Sequence, residues 1–221
     1  MHGRILAIAG IGAGALVLSA AVTGSAEAGN NTVTRSHSGG MVAQHIGPMK
    51  KGNCYSNLMN DAGTGILSQT FGDFPEYDSY SADNFAVKKT CKVTGVYAPG
   101  VYFNGSGPAT SETVTFYADD AGGVPGTVVD TQTVVGTDEA GTFTIPLETV
   151  ALAPGSYWVS VSANMDFGVG GEWGWELSSH VKQGSEGKFE NPGGGFGVCP
   201  EWGNVTDCVG FGGDFLFTLT K

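Results

Sequence analysis

Positive charge is scarce in this chain. Ten Lys and Arg stand against 21 Asp and Glu in 221 residues, for a formal net charge of -11. A general nucleic-acid binder needs a basic footprint for phosphates, and docking on anionic lipid needs the same, so both classes are disfavoured. Charge of either sign is thin as well. Charged residues make up 14 % of the chain and hydrophobic ones 41 %, the reverse of a disordered, solvating sequence.

The motifs of common catalytic centres are missing too. There is no His-Glu-x-x-His and no close histidine pair to hold a catalytic zinc. No Gly-x-Ser-x-Gly elbow presents a serine nucleophile, and His180, in Ser-Ser-His-Val-Lys, reads as a solvated loop histidine. The glycine-rich stretch 191–197, AsnProGlyGlyGlyPheGly, does not end in Gly-Lys-Ser/Thr and reads as a turn-rich loop rather than a phosphate cradle. The four cysteines contain no Cys-x-x-Cys, which argues against a structural zinc site. Beyond Val22 no apolar run reaches the length that crosses a bilayer.

Residues 1–28 carry Arg4, an apolar run from Ile5 to Val22, and Ala26-Glu27-Ala28, a small-x-small cleavage pattern. They read as a secretory signal peptide cut after Ala28, which predicts a secreted, extracellular protein with no membrane span after cleavage. Residues 29–52 are polar, glycine-rich and without period, and read as a flexible leader. In an exported chain an even number of cysteines suggests disulfides. Of three possible pairings, Cys54–Cys91 with Cys199–Cys208 is the expected one. The second pair brackets PEWGNVTD, a loop of hairpin-tip character.

From residue 53 to 221 short alternating runs are separated by Gly, Pro, Asn and Asp, and no apolar stripe at helical spacing lasts three turns. The clearest runs are Thr113–Tyr117, Gly126–Val135, Thr142–Leu147, Tyr157–Ala163 and Phe215–Leu219. Weaker strands are expected at 54–60, 65–71, 83–88, 91–104 and 172–178. Pro146 has no N–H, which suggests a sheet edge or a strand end. Nine or ten short strands with frequent turn signals predict an all-β domain, an antiparallel β-sandwich of jelly-roll-like form, with a closed barrel as the alternative.

PheTyrAlaAspAspAlaGlyGlyValProGlyThrValVal (116–129), LeuAlaProGlySerTyrTrpValSerVal (152–161) and AlaAspAsnPheAlaVal (82–87) resemble a recurrent type of secreted bacterial β-sandwich module. In that type a Phe-Tyr-x-Asp…Gly-x-Pro-Gly turn precedes a Leu-x-x-Gly-x-Tyr-Trp strand. Asn84 stands where the type often has a second Asp. The resemblance spans roughly 54–219 and implies a non-catalytic extracellular domain of bacterial origin, with no catalytic residues to carry over.

Aromatic residues supply the candidate site. Glu172-Trp173-Gly174-Trp175-Glu176 places two indoles on one face of a strand and two carboxylates on the other, and Trp202 lies between the paired cysteines Cys199 and Cys208. Facing solvent, Trp173, Trp175 and Trp202 would stack on sugar rings while Glu172 and Glu176 bond hydroxyls. The competing reading packs both strand indoles in the core, and Leu177, which continues their face, favours it. As a glycosidase pair Glu172 and Glu176 would stand about 13 Å apart along a straight strand, too far for either hydrolytic geometry. Asp119 and Asp120, in a glycine-rich turn, and Asp73, Glu76 and Asp78 are weak candidates for a structural calcium; no other cofactor is expected. The expected partner is a polysaccharide or an extracellular protein, with self-association through sheet edges as a further route. The alternative function is a structural or adhesive surface protein whose aromatics are core.

Overall fold

The computed structural model describes residues 52–221 and the short strand Thr32–Thr34. The expected signal peptide, and the expected leader apart from that strand, lie outside the described residues. The architecture is an antiparallel β-sandwich, not a closed barrel.

The strands follow the alternation closely. β1 is Thr32–Thr34, β2 Tyr55–Asn57, β3 Asp61–Leu67 and β4 Gln69–Thr70. β5 is Tyr80–Val87, β6 Cys91–Ala98, β7 Gly100–Phe103 and β8 Ser111–Asp119. β9 is Pro125–Val134, β10 Thr137–Glu139, β11 Thr142–Leu152 and β12 Gly155–Asn164. β13 is Glu172–Ser178, β14 Lys188–Glu190, β15 Gly203–Asn204 and β16 Phe217–Thr220. The strands outnumber the expected nine or ten because pieces of two to four residues flank the main ones. The run at 91–104 also splits at Pro99, where a missing N–H interrupts the ladder and the chain passes from one sheet to another.

A five-stranded sheet has the order β10-β11-β6-β16-β2, and a larger sheet runs β15-β14-β5-β12-β8-β9 with β4 added in parallel to β12. Their inner faces meet through Val96, Phe143, Ile145, Phe217 and Leu219 on one side and Phe85, Phe116, Val159 and Val161 on the other. Phe85 bridges them, with ring centroids 5.8 Å from Tyr55 and 6.2 Å from Phe217. A four-stranded sheet, β1-β3-β13-β7, packs Ile66, Trp173, Trp175 and Leu177 into the same core.

Pro146 sits where β10, which covers only Thr142–Thr144, no longer pairs with β11, and a bulge follows between Pro146 and Val150. The residue without a donor thus occupies an unpaired edge. Both expected disulfides form, Cys54–Cys91 and Cys199–Cys208. The segment inside the second is not a hairpin tip. Gly203–Asn204 adds to the edge of β14, and Val205–Val209 then makes a short helix. Gly203 permits this closure, because a Cβ there would lie 2.7 Å from the Cys208 sulfur and 2.9 Å from that of Cys199.

Candidate functional site

The residues expected to form one site are divided among three environments. Trp173 and Trp175 are both 0 % exposed, so they form no surface platform. β13 lies between β3 and β7, and all seven of its residues are buried, leaving neither face free. The Trp173 ring stacks on Phe143 at 4.4 Å and its Nε1 donates to the Gly141 carbonyl at 2.7 Å. Trp175 stacks on Phe215 at 4.7 Å and donates to the Leu216 carbonyl at 2.8 Å. Both indoles have their apolar surface and their single donor satisfied internally, as core indoles require. Gly100 lets β7 pass the first indole; a Cβ there would fall 2.3 Å from Trp173 Nε1.

Glu172 and Glu176 face away from the indoles and are 1 % and 4 % exposed. The pairing of β13 with β7 and β3 is unbroken from Glu172 to Glu176, so the strand does not bend to bring them together. Each is enclosed separately. The Glu172 Oε2 accepts a bond of 2.5 Å from Asn104 Nδ2, and burial pushes its carboxyl up to about 7 against that bond. Around it stand Phe71, Phe74, Tyr77, Phe167 and Phe196. These rings come from three segments, 71–77, 167 and 196, so only the fold unites them.

Asp119 and Asp120 have other work. Asp119 Oδ1 accepts from Trp158 Nε1 at 2.7 Å, and Asp120 closes the turn by accepting from the Ala121 N–H at 2.6 Å. Asp73 accepts from the Phe167 and Gly168 N–H groups, and Asp78 from that of Phe71. Asp120, Asp73 and Asp78 thus bond backbone, as Asp in turns commonly does, and Asp119 holds an indole. Among the described residues no group of three or more His, Cys, Asp or Glu is arranged to hold a metal.

Trp202 is different, because it is only partly buried. Its loop is pinned by Cys199–Cys208, and its ring meets Tyr117 edge-on at 6.0 Å. Tyr117 faces outward on β8, opposite Trp158 of β12, while Tyr80 of β5 lies opposite Glu190 of β14 on the same outer face. Burial pushes Glu190 up to about 7, and the nearby Glu201 carboxylate adds to the shift. The charge of Glu190 in turn raises Tyr80 and Tyr117, which burial has already raised, Tyr117 to about 12. Three half-buried rings and two carboxylates therefore share one patch. The sequence singled out Trp202 but not Tyr80, Tyr117 or Glu190, because these meet only across the sheet. Beside them Thr113–Thr133 and Thr115–Thr131 form exposed hydroxyl pairs, each 2.9 Å long.

A third group lies inside. Asp83, fully buried on the inner face of β5, accepts from the Asn84 and Phe215 N–H groups at 2.8 Å each. Burial first, then the neighbouring Asp214, holds its carboxyl well above the usual range. Lys182 reaches over the Tyr55 ring, 4.8 Å from its centroid, to the Ser56 carbonyl at the margin of this group. No helix among the described residues is long and apolar enough to cross a membrane. No protein-family model matches the chain, and no curated protein is similar to it, so the functional reading rests on this geometry.

Proposed function

We propose that the protein is a secreted, non-catalytic, carbohydrate-binding module whose ligand surface is the Trp202 patch on the outer face of the large sheet. The observation that carries this reading is a partly exposed indole held in the loop closed by Cys199–Cys208, beside Tyr117, Tyr80, Glu190 and Glu201. A sugar offers C–H faces to such rings and hydroxyls to such carboxylates. Cross-linking the loop lowers the ordering cost of binding. Two disulfides are compatible with an extracellular location.

The test is retention on a panel of insoluble polysaccharides. At least one glycan should retain the protein, and Trp202→Ala and Tyr117→Ala should each abolish retention while leaving the near-ultraviolet circular dichroism of the buried indoles in place. Retention that survives both substitutions refutes the assignment.

A second reading, a structural or adhesive protein, is favoured by the end of the large sheet. β9 is its terminal strand, and Val128, Val129 and the adjoining Val135 are 52 %, 45 % and 77 % exposed. An exposed apolar edge is a template for pairing with a second copy. No retention on any glycan, together with concentration-dependent association in light scattering, would support that reading instead.

A further inference from the structure

The loop that carries Trp202 also lines an open cleft of about 480 Å³, a volume within the roughly 300–1,000 Å³ of small-molecule sites. Asn204 and Thr206 belong to that loop, and Ser179, Ser185 and Glu186 come from the segment between β13 and β14. We infer that this cleft is a sugar subsite, taking one neutral, hydroxylated unit of the glycan whose neighbouring unit lies on Trp202. The inference rests on the glycan reading of the Trp202 patch and extends it.

One edge strand joins the two places. Asn204 pairs with Lys188 and Gly203 with Phe189. Side chains alternate along a strand, so Trp202 and Asn204 fall on the same side, about 7 Å apart. Gly203 between them faces the disulfide sulfurs. A glycan that stacks on the indole and follows this strand reaches the cleft with its next unit.

The space exists without rearrangement. Gly184 and Gly213 line it with φ of +67° and +144°, a region side-chain-bearing residues rarely enter, so these parts of the wall stay bare. Glu186 Oε2 accepts from the Thr206 N–H at 3.3 Å and from the Thr206 hydroxyl, which ties one wall to the disulfide loop. Asn84 donates to the Ser185 carbonyl, Lys188 Nζ to Asn204 Oδ1, and the Gly187 N–H to the Gly213 carbonyl. Bracing of this kind preorganises a site.

The lining selects the ligand class. Ser185 contributes a hydroxyl, and Glu186 a second carboxylate oxygen beyond the one held by Thr206. A sugar hydroxyl donates to that oxygen and accepts from the serine. An anion would meet the Glu186 charge and a net charge of -11. A cation would find one carboxylate already bonded by Thr206, with the Lys188 ammonium behind Asn204. Calcium needs six to eight oxygens, and Glu186 is the sole carboxylate on the lining. An apolar ligand would find Val181 as its only apolar side chain larger than a glycine. A neutral hydroxylated unit suits what remains.

The experiment titrates the full chain with glucose, galactose, mannose and N-acetylglucosamine, with glucuronate as the anionic control, and follows the amide resonances of Gly184, Gly212 and Gly213. At least one neutral sugar should saturate these shifts, and glucuronate should bind roughly tenfold more weakly or less. Ser185→Leu, which fills the cleft while keeping the carbonyl that Asn84 bonds, should abolish the titration. Glu186→Gln, which keeps an acceptor for Thr206, should narrow the gap between the neutral sugar and glucuronate. A trisaccharide cut from the retained polysaccharide should bind roughly tenfold more tightly than the single sugar, and Trp202→Ala should remove that gain alone. Saturation by none of the four neutral sugars, unchanged binding in a folded Ser185→Leu protein, or a trisaccharide gain that survives Trp202→Ala would overturn the inference. Retention on polysaccharide without shifts at the cleft glycines sinks the subsite and leaves the patch standing. Saturable shifts without retention on any polysaccharide sink the patch reading instead.

Discussion

The tripeptide Glu-Trp-Gly occurs twice, at 172–174 and 201–203, and the two copies have opposite fates. In the first, Trp173 is wholly buried, its glutamate is walled in by rings, and Gly174 lies against the backbone of Gly65 on the neighbouring strand. In the second, Trp202 is partly exposed, Glu201 faces solvent, and Gly203 sits beneath a disulfide. Local sequence is the same, so the difference comes from position. The first copy opens a strand paired on both sides; the second begins before a two-residue edge strand held by a cross-link. A tryptophan between two strands fills a core, and a tryptophan at a sheet margin keeps a face for something else.

The strongest way to break this comparison is to cut back the buried indole. Trp173→Ala removes a side chain stacked at 4.4 Å on Phe143 and orphans the Gly141 carbonyl that accepts its N–H. Truncating a fully buried aromatic costs about 3–5 kcal/mol, a large part of a domain's total stability. Urea denaturation should show a loss of that size, and a loss below about 1 kcal/mol would mean that the indole is not the core element described.

The two glutamates offer the next contrast. Glu172 has a folded-state value near 7 against an ordinary 4.5, raised by burial. The folded protein therefore holds this proton more tightly than the unfolded chain does. Its contribution is full below about 4.5 and is lost as pH rises through 7, on the order of 3 kcal/mol in all. Glu190, also near 7, acts in the same direction with less weight because it is partly solvated. Midpoints of urea unfolding should rise as pH falls from 8 to about 5. Glu172→Gln, which keeps the neutral shape, should reduce that slope, with Glu190, Asp83 and Asp214 supplying what remains; an unchanged slope would place the proton elsewhere.

Much of the fold was legible because its signals are local. Alternation placed β8, β9, β11, β12 and β16, and the run at 172–178 coincides with β13. Leu177 continuing the face of Trp173 and Trp175 was enough to favour the buried reading over a platform. The signals that failed were non-local. β14 and β15, with three and two residues, are too short for a period to register. The rings around Glu172 span Phe71 to Phe196, so their convergence depends on how three segments are tied together. Asp73, Glu76 and Asp78 attracted notice as an acidic group, whereas Phe71, Phe74 and Tyr77 in the same segment surround Glu172. The outer patch failed for a similar reason: Tyr80 and Glu190 are direct cross-strand neighbours separated by more than a hundred positions.

The smallest stability effect should belong to the second tripeptide. Trp202→Ala removes one edge-on contact with Tyr117, and edge-to-face aromatic pairs contribute about 0.5–1.5 kcal/mol beyond their burial. Part of this indole already faces water, and the disulfide keeps its loop closed whatever occupies position 202. The change in unfolding free energy should therefore stay near 1 kcal/mol, while glycan retention disappears. A substitution that costs binding and little stability is the signature of a residue placed for contact. If Trp202→Ala instead destabilised the fold as much as Trp173→Ala, the loop would be a core element in its own right. The two copies of Glu-Trp-Gly would then differ in depth but not in kind.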